Sequence, residues 1–365
     1  MGRKTFRKVI TSPDLIKQIN PENVKLMERF LKNYSTKKSP NTIVNYRSNL
    51  QIFFCWLILE DRNIPYVDLK KMDFMDFFDY AVLELKWSSN RFHQCHSTLS
   101  SFSRWIERVM DETYPNFRNL LPYIDKPDKE VVRKKSVYTQ EELDQLMDWL
   151  GENNKVQEQC LLALLLATGA RFSEIPRFKT SIIDEDNTAF EGLFLETTEE
   201  MQVKGRGVNG KHIVRYIIKD IFLPYYYKWL PIREEIMKKH NQNHDSIFIL
   251  RDGSPAKASS MKFWIQKWDE YCTEKFGKPV YFHMFRHRWT SYLLGIGVEK
   301  ELVQEMQNWC SDQLCDLYND NTAKDRKWKG LDKLKTALEQ DEMVQKTQQV
   351  EGKIEEEKEA TKNST

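Results

Sequence analysis

Several things are missing from this 365-residue sequence. No apolar run approaches the roughly 20 residues that a membrane-spanning helix needs. The basic N-terminus, MGRKTFRKVITSPDL, has no apolar run behind it, so no secretory signal is read there. Six cysteines are scattered without a CxxC pair. That argues for reduced thiols in a cytoplasmic protein and against a structural zinc site. His93, Cys95 and His96 lack a second group of ligands and are read as one helix face. There is no phosphate-binding P-loop and no carboxylate cluster fit for Mg²⁺. Nor does the chain have a large net charge: the total is +2. The distribution is uneven, however. The segment after Leu338 holds eight acidic residues and four lysines, which leaves +6 on the rest. A basic body of this kind is compatible with a polyanionic partner but does not require one.

With 40% hydrophobic residues, the chain can bury a sizeable core in two domains. After a basic arm over 1–19, residues 20–123 read as helical. SPNTIVNYRSNLQIFFCWLILE has apolar residues at Ile43, Tyr46, Leu50, Phe53, Phe54 and Leu57, close to helical spacing, with Asn41 or Thr42 as the expected cap. DFMDFFDYAVLEL and SNRFHQCHSTLSSFSRWIERVM are further helices. A charged segment over 124–137 reads as a linker. A second domain covers 138–335. It opens with the capping-box pattern TQEEL and a strongly apolar helix, VQEQCLLALLLATG. Strand-like runs follow (FEGLFLETT, MQVKG and HIVRYIIKDIFL), the last two joined by a glycine-containing loop that predicts a hairpin. Helices resume near Ser259 and run to about Leu338. The tail over 336–365 is charged and low in apolar residues, and it reads as partly disordered. The fold class is mainly α with a small antiparallel sheet.

Four places call for a common account. In ATGARFSEI a buried helix breaks at Gly169 and Arg171 follows, expected at the mouth of the next helix. An arginine against an apolar layer needs a partner, and Glu174 is the nearest. Lys204 ends a strand at the glycine loop, with Lys211 on the other side. In YFHMFRHRWTSYLLGIG, apolar residues recur at Phe285, Trp289, Tyr292, Leu293 and Ile296, yet His283, Arg286, His287 and Arg288 crowd the first turns. Cations there complement a helix poorly and repel one another, so an external anion would explain them. Last comes WCSDQLCDLYND, with Trp309 and Tyr318. Taken singly, each place has an ordinary explanation: an ion pair, an exposed lysine, a basic helix end, core aromatics.

Taken together, they resemble the tyrosine recombinases, or phage-type integrases. The order Arg171, Lys204, His283, Arg286, Trp309, Tyr318 follows the family's Arg, Lys, His-x-x-Arg, His/Trp, Tyr. Trp309 lies 23 residues after Arg286, and Tyr318 lies 9 after Trp309. SPNTIVNYRSNLQIFF is similar to the opening of the family's helical DNA-binding domain, so the resemblance runs over about 20–325. Where most members have a second histidine, this chain has Trp309, which has one N–H donor and cannot shuttle protons. The glycine loop is longer than in simple members, which leaves Lys204 or Lys211 as the hairpin lysine, with Lys204 favoured.

The resemblance implies a site-specific DNA recombinase that cuts and rejoins double-stranded DNA through a 3′-phosphotyrosyl bond, without metal or ATP. Tyr318 would be the nucleophile, with Arg171 and Arg286 holding the nonbridging oxygens. His283 would act as base or orienting donor, Lys204 as general acid and Trp309 as hydrogen-bond donor; Glu174 would orient Arg171. It further implies exchange through a Holliday junction within a homotetramer, with the C-terminal segment passed to a neighbour, and leaves room for an accessory or directionality factor. Lys37, Arg91, Arg104, Lys134, Lys135 and Lys211 are candidate DNA contacts, with ordinary surface charge an equal account of each. The alternatives are a type IB topoisomerase, a telomere resolvase, or a non-catalytic DNA-binding regulator on the same fold.

Overall fold

A computed structural model of the chain describes residues 10–128, 136–203, 210–309, 311 and 313–320. Lys134, Lys135, Lys204 and the charged tail lie outside the described residues. The chain divides into two units, one of Met1–Lys135 with Gln202–His212 and one of Ser136–Met201 with Ile213–Thr365.

Five helices build the first unit: α1 (Pro13–Gln18), α2 (Pro21–Ser35), α3 (Pro40–Leu59), α4 (Lys71–Leu83) and α5 (Ser89–Val109). Their starts are written in the sequence. Ser12, Asn20, Ser39 and Ser88 each accept a backbone N–H of the first turn, and proline opens α1, α2 and α3. Proline fits there because its missing N–H has no partner to lose. The cap of α3 is therefore Ser39, ahead of Pro40, and not Asn41 or Thr42 as the pattern suggested. The core is aromatic: Phe30, Phe53, Phe54, Tyr66, Phe77 and Phe102 are all fully buried. Ile10 and Ile19, from the stretch read as a basic arm, join this core. His96 is buried and bonds the Leu121 carbonyl at 2.9 Å, while His93 bonds that of Pro127 at 2.9 Å. Those contacts account for both histidines without a metal.

The second unit is arranged around α7 (Val156–Thr168), which is apolar on every side; Cys160 through Leu165 are all fully buried. It packs against α6 (Gln140–Glu152), α8 (Lys219–Lys239) and α10 (Phe282–Gly295). Thr139 and Glu142 close the capping box that starts α6. A three-stranded antiparallel sheet runs in the order β1 (Thr188–Ala189), β2 (Phe194–Glu196), β5 (Tyr216–Ile218), with Leu195 opposite Ile217. β3 (Met201–Val203) and β4 (Lys211–Ile213), most of whose residues are grouped with the first unit, form a two-stranded ribbon, as the glycine loop predicted.

The expected strand HIVRYIIKDIFL stops at Ile218, and KDIFL begins α8 instead. The reason is periodicity. Phe222, Tyr226, Trp229, Arg233 and Met237 recur at helical spacing, and all are buried. Nor does Arg171 begin an α-helix; it stands in a turn before a short 3-10 turn at Ile175–Arg177. The remaining helices are α9 (Ala258–Phe276), α11 (Lys300–Met306) and α12 (Gln313–Tyr318). In α10 the buried face is Phe285, Trp289 and Leu293, while Tyr292 and Ile296 are exposed. No helix among the described residues is long and apolar enough to cross a membrane.

Gly169 ends α7 in the left-handed region at φ +55°. A Cβ there would lie 2.9 Å from the Cβ of Trp289, an atom that cannot swing away. Gly169→Ala should therefore lower the unfolding free energy of this unit by about 1–3 kcal/mol, the order expected of strain at a special backbone position. Urea denaturation followed by Trp fluorescence measures it.

Candidate active site

The C-terminal end of a helix leaves carbonyls without intrahelical partners. At the end of α7, three side chains take them up. Trp289 Nε1 donates to the Ala167 carbonyl at 3.2 Å, Gln307 Nε2 to Thr168 at 2.9 Å, and Arg286 Nη1 to Gly169 at 2.7 Å. Arg286 is fully buried, and its Nε and Nη2 have no hydrogen-bond partner among the described residues. The turn after Gly169 presents Arg171, whose side chain is 23% exposed. Arg171 Nη1 donates to Glu174 Oε1 at 3.2 Å, and its backbone N–H donates to Oε2 at 3.1 Å. Phe172 stacks on Phe282 at the start of α10.

A third guanidinium completes the group. Arg215, 1% exposed, donates from Nη2 to Glu174 Oε2, and its Nη1 lies 3.5 Å from Gln307 Oε1. One carboxylate thus faces three guanidiniums. Burial pushes the Glu174 carboxyl up, but the charges of Arg215 and Arg171 outweigh it and hold the group below the ordinary carboxylate range. Burial, and then the like charges of Arg171 and Arg215, push the Arg286 guanidinium down to about 9. Among the described residues two positive charges remain uncompensated in a largely dry place, an arrangement suited to an anion.

Beside it stand the aromatic groups. The Trp309 ring stacks on that of Tyr318 at 4.9 Å and 12°. The Arg286 guanidinium lies 5.0 Å from the Trp309 ring centre and 5.5 Å from that of Tyr318. Trp309 is 5% exposed and its Nε1 has no hydrogen-bond partner among the described residues. Tyr318 Oη and His283 Nε2 are hydrogen-bonded at 2.8 Å. His283 and Arg286 leave α10 three residues apart, so one helix face carries both. Tyr318 is also held through its backbone. Ser291 Oγ donates to the Tyr318 carbonyl at 3.3 Å and accepts from the Asp320 N–H at 2.7 Å. The Asp320 carboxylate lies 3.4 Å from His287 Nδ1, close enough for an ion pair though outside hydrogen-bonding geometry.

The structure thus brings Arg171, His283, Arg286, Trp309 and Tyr318 into one place. Lys204 lies outside the described residues, and Lys211 stands exposed on β4. Of the candidate DNA contacts, Lys37 and Arg104 are exposed. Arg91 is occupied: Nη1 donates to Asn49 Oδ1 at 2.6 Å and Gln94 Oε1 at 2.9 Å, and the guanidinium lies 4.7 Å from the Trp87 ring centre. These bonds explain Arg91 without DNA.

Sequence reasoning missed Arg215, Gln307, Ser291 and Asp320. For Arg215 a signal existed. Strand alternation in HIVRYII puts it on the same side as Ile217, and an arginine on a buried face is rare unless paired.

Comparison with known proteins places this arrangement. Residues 136–325, more than half of the chain, match the phage integrase family, and residues 26–110 match the N-terminal SAM-like domain of phage integrases. Among curated proteins, tyrosine recombinase XerC of Oceanobacillus iheyensis is 27% identical over 279 residues, covering 73% of this chain and 81% of the relative. XerC of Bacillus subtilis is 26% identical, covering 78% and 86%. Among solved structures, the Tn1549 transposon integrase in complex with transposon right-end DNA superposes with a TM-score of 0.61 at 13% identity, over 86% of this chain and 99% of that one. A lambda integrase tetramer bound to a Holliday junction superposes with a TM-score of 0.58 at 15% identity, over 81% and 77%. The chain belongs to the phage integrase family, the tyrosine recombinases.

Glu174→Gln tests the electrostatics. It leaves three guanidiniums without a carboxylate and should lower stability at pH 7 by about 3–5 kcal/mol, the order found for breaking a buried pair. Because the native carboxyl is held low, its contribution is complete above the ordinary carboxylate range of about 4.3 and is lost as pH falls through the depressed native value. The variant should therefore show a flatter acid limb in a stability–pH curve, and inorganic phosphate should raise the melting temperature of both proteins.

Proposed function

We propose that this chain is a site-specific DNA recombinase of the integrase or invertase type, cutting and rejoining double-stranded DNA through a 3′-phosphotyrosyl intermediate. The observation that carries this reading is the hydrogen bond of Tyr318 to His283 beside two buried guanidinium nitrogens that have no hydrogen-bond partner among the described residues.

A tyrosine hydroxyl, with an ordinary pKa of about 10, becomes a nucleophile when a base takes its proton and cations favour the phenolate. His283 is placed for the first task, and the surplus positive charge of Arg171 and Arg286 for the second. In the reaction, Tyr318 Oη bonds to phosphorus and the bond from phosphorus to the 5′-oxygen breaks. The hydroxyl proton passes to His283. A proton must reach the leaving 5′-oxygen, and Lys204 is the general acid. Negative charge grows on the nonbridging oxygens as the new bond forms. Forked guanidiniums match two such oxygens at once, and fixed donors of this kind act mainly on the transition state. Trp309 Nε1 supplies one further N–H donor and cannot take part in proton transfer.

The phosphodiester energy stays in the tyrosyl bond, so resealing by a 5′-hydroxyl of another strand needs neither ATP nor metal. Two such exchanges through a Holliday junction recombine two sites, with four copies of the chain on the synapsed DNA. A lambda integrase tetramer in that state has the same fold as this chain, which supports the proposal. An accessory or directionality factor would set the outcome, and the place of action would be the cytoplasm, with the DNA. A match to the integrase N-terminal domain favours this reading over a topoisomerase or resolvase.

The test is a covalent trap. Nicked duplexes tiled across the DNA flanking the gene are mixed with the protein in chelator and without ATP, then run on a denaturing gel. Wild type should give a protein–DNA band that Tyr318→Phe abolishes. Arg171→Ala and Arg286→Ala should each slow its formation about 10²–10³-fold. Trp309→Phe keeps the stack and should cost about tenfold, the worth of one hydrogen bond of about 1.4 kcal/mol. A band that survives in Tyr318→Phe would move the nucleophile elsewhere. Specific binding with no band from either protein would favour a non-catalytic regulator, and relaxation of supercoils without exchange would favour a topoisomerase.

A further inference from the structure

We infer that Arg215 is a positioning residue for the strand-cleavage reaction: it acts through Glu174 on Arg171 and through Gln307 on the segment that carries Trp309. The inference rests on the recombinase reading above.

Arg215 stands immediately before β5, two residues before Ile217, with 1% of its surface exposed. An arginine so placed is costly, and replacing a buried ion pair by apolar residues is often neutral or stabilising. Stability alone therefore gives little reason for it. Its contacts suggest another. Nη2 engages Glu174 Oε2, the oxygen that also accepts the Arg171 backbone N–H. Glu174 Oε1 is left to one Arg171 side-chain nitrogen. The carboxylate is thereby fixed between two arginines and holds the Arg171 side chain through Nη1, with 23% of that side chain exposed. Without Arg215, Glu174 Oε2 would be released and the carboxylate could close on the Arg171 guanidinium with both oxygens. That would occupy the fork needed for a phosphate.

The second arm runs through Gln307. Its Oε1 faces Arg215 Nη1 at 3.5 Å while its Nε2 donates to the Thr168 carbonyl. Gln307 is 1% exposed and stands two residues before Trp309. Arg215 thus joins the Arg171 turn to the end of α11, from which Trp309 reaches Tyr318. Its charge is also felt at Arg286. No atom of Arg215 needs to meet DNA for any of this.

The experiment measures formation of the Tyr318–DNA bond on a nicked duplex at saturating DNA, alongside DNA affinity and melting temperature, for Arg215→Met, Arg215→Lys, Glu174→Gln and the Arg215→Met/Glu174→Gln double variant. Arg215→Met should slow bond formation at saturation about 30–100-fold while DNA affinity stays within about threefold. Arg215→Lys should cost about tenfold, since one ammonium cannot serve both Glu174 and Gln307 in the fork geometry. It keeps the charge and tests the inference even if Arg215→Met fails to fold. The double variant should be no slower than the slower single one, because both act on Arg171 along one path. Variants that are folded at the assay temperature yet cleave at the wild-type rate would overturn the inference, as would strictly multiplicative effects in the double. Loss confined to DNA affinity would overturn it as well, by making Arg215 a binding residue. If wild type itself forms no Tyr318-dependent bond on any duplex, it is the recombinase reading that fails, which the unmodified chain decides before any variant is compared.

Discussion

Three carbonyls at the end of α7 organise the catalytic unit. A helix buried on every side cannot leave its last carbonyls to water, so protein donors must come to it. They come from Trp289, Gln307 and Arg286, on α10 and at the end of α11. Each donor brings a piece of the site with it: Arg286 is itself in it, Gln307 leads to Trp309, and Trp289 fixes the rotation of α10 and hence the direction of His283. The same helix end releases the chain into the turn of Arg171. A structural necessity and a chemical one are met by the same bonds, and the negative end of the helix dipole also favours the gathering of cations there.

The electrostatics follow from that geometry. Glu174 steadies Arg171 and Arg215, but one carboxylate does not balance three guanidiniums. The protein carries this imbalance in a place where charge is poorly solvated, and a phosphate would relieve it. Arg286 shows the tension most plainly, being pushed down to about 9 by burial and by its neighbours. A bound anion would raise it again, so the site and its ligand stabilise each other. The aromatic stack of Trp309 on Tyr318 closes one side, placing a polarisable surface where a second carboxylate would cancel the charge.

Much of this was legible in the sequence. The helical first unit, the apolar α7, the break at Gly169 and the hairpin at the glycine loop came from periodicity and turn residues. The grouping of Arg171, His283, Arg286, Trp309 and Tyr318 came from the resemblance of the whole set, since each motif alone had an ordinary explanation. Illegible were the contacts made by distant residues. Nothing near Ser291 announces that its hydroxyl would hold the backbone at Tyr318, 27 positions on. The pairing of Arg215 with Glu174 spans 41 positions, and only strand alternation hinted that Arg215 faces inward. The end of β5 was misread for a local reason: KDIFL has strand-like composition, and the helical period that overrules it becomes visible only when Trp229 and Met237 are counted.

The two hydrogen bonds of Ser291 Oγ, one donated to the Tyr318 carbonyl and one accepted from the Asp320 N–H, have a consequence for variation in length. The same rod, α10, bears His283, Arg286 and the hydroxyl that grips the tyrosine segment. The spacing between the Tyr318 hydroxyl, His283 and the Ser291 clamp is therefore set by residues of one helix, α10, rather than by the length of the turn that follows it at Gly297. The turn between α10 and α11 can change in length while the Tyr318–His283 distance is kept, provided that Gln307 still reaches the end of α7 and Trp309 still reaches Tyr318.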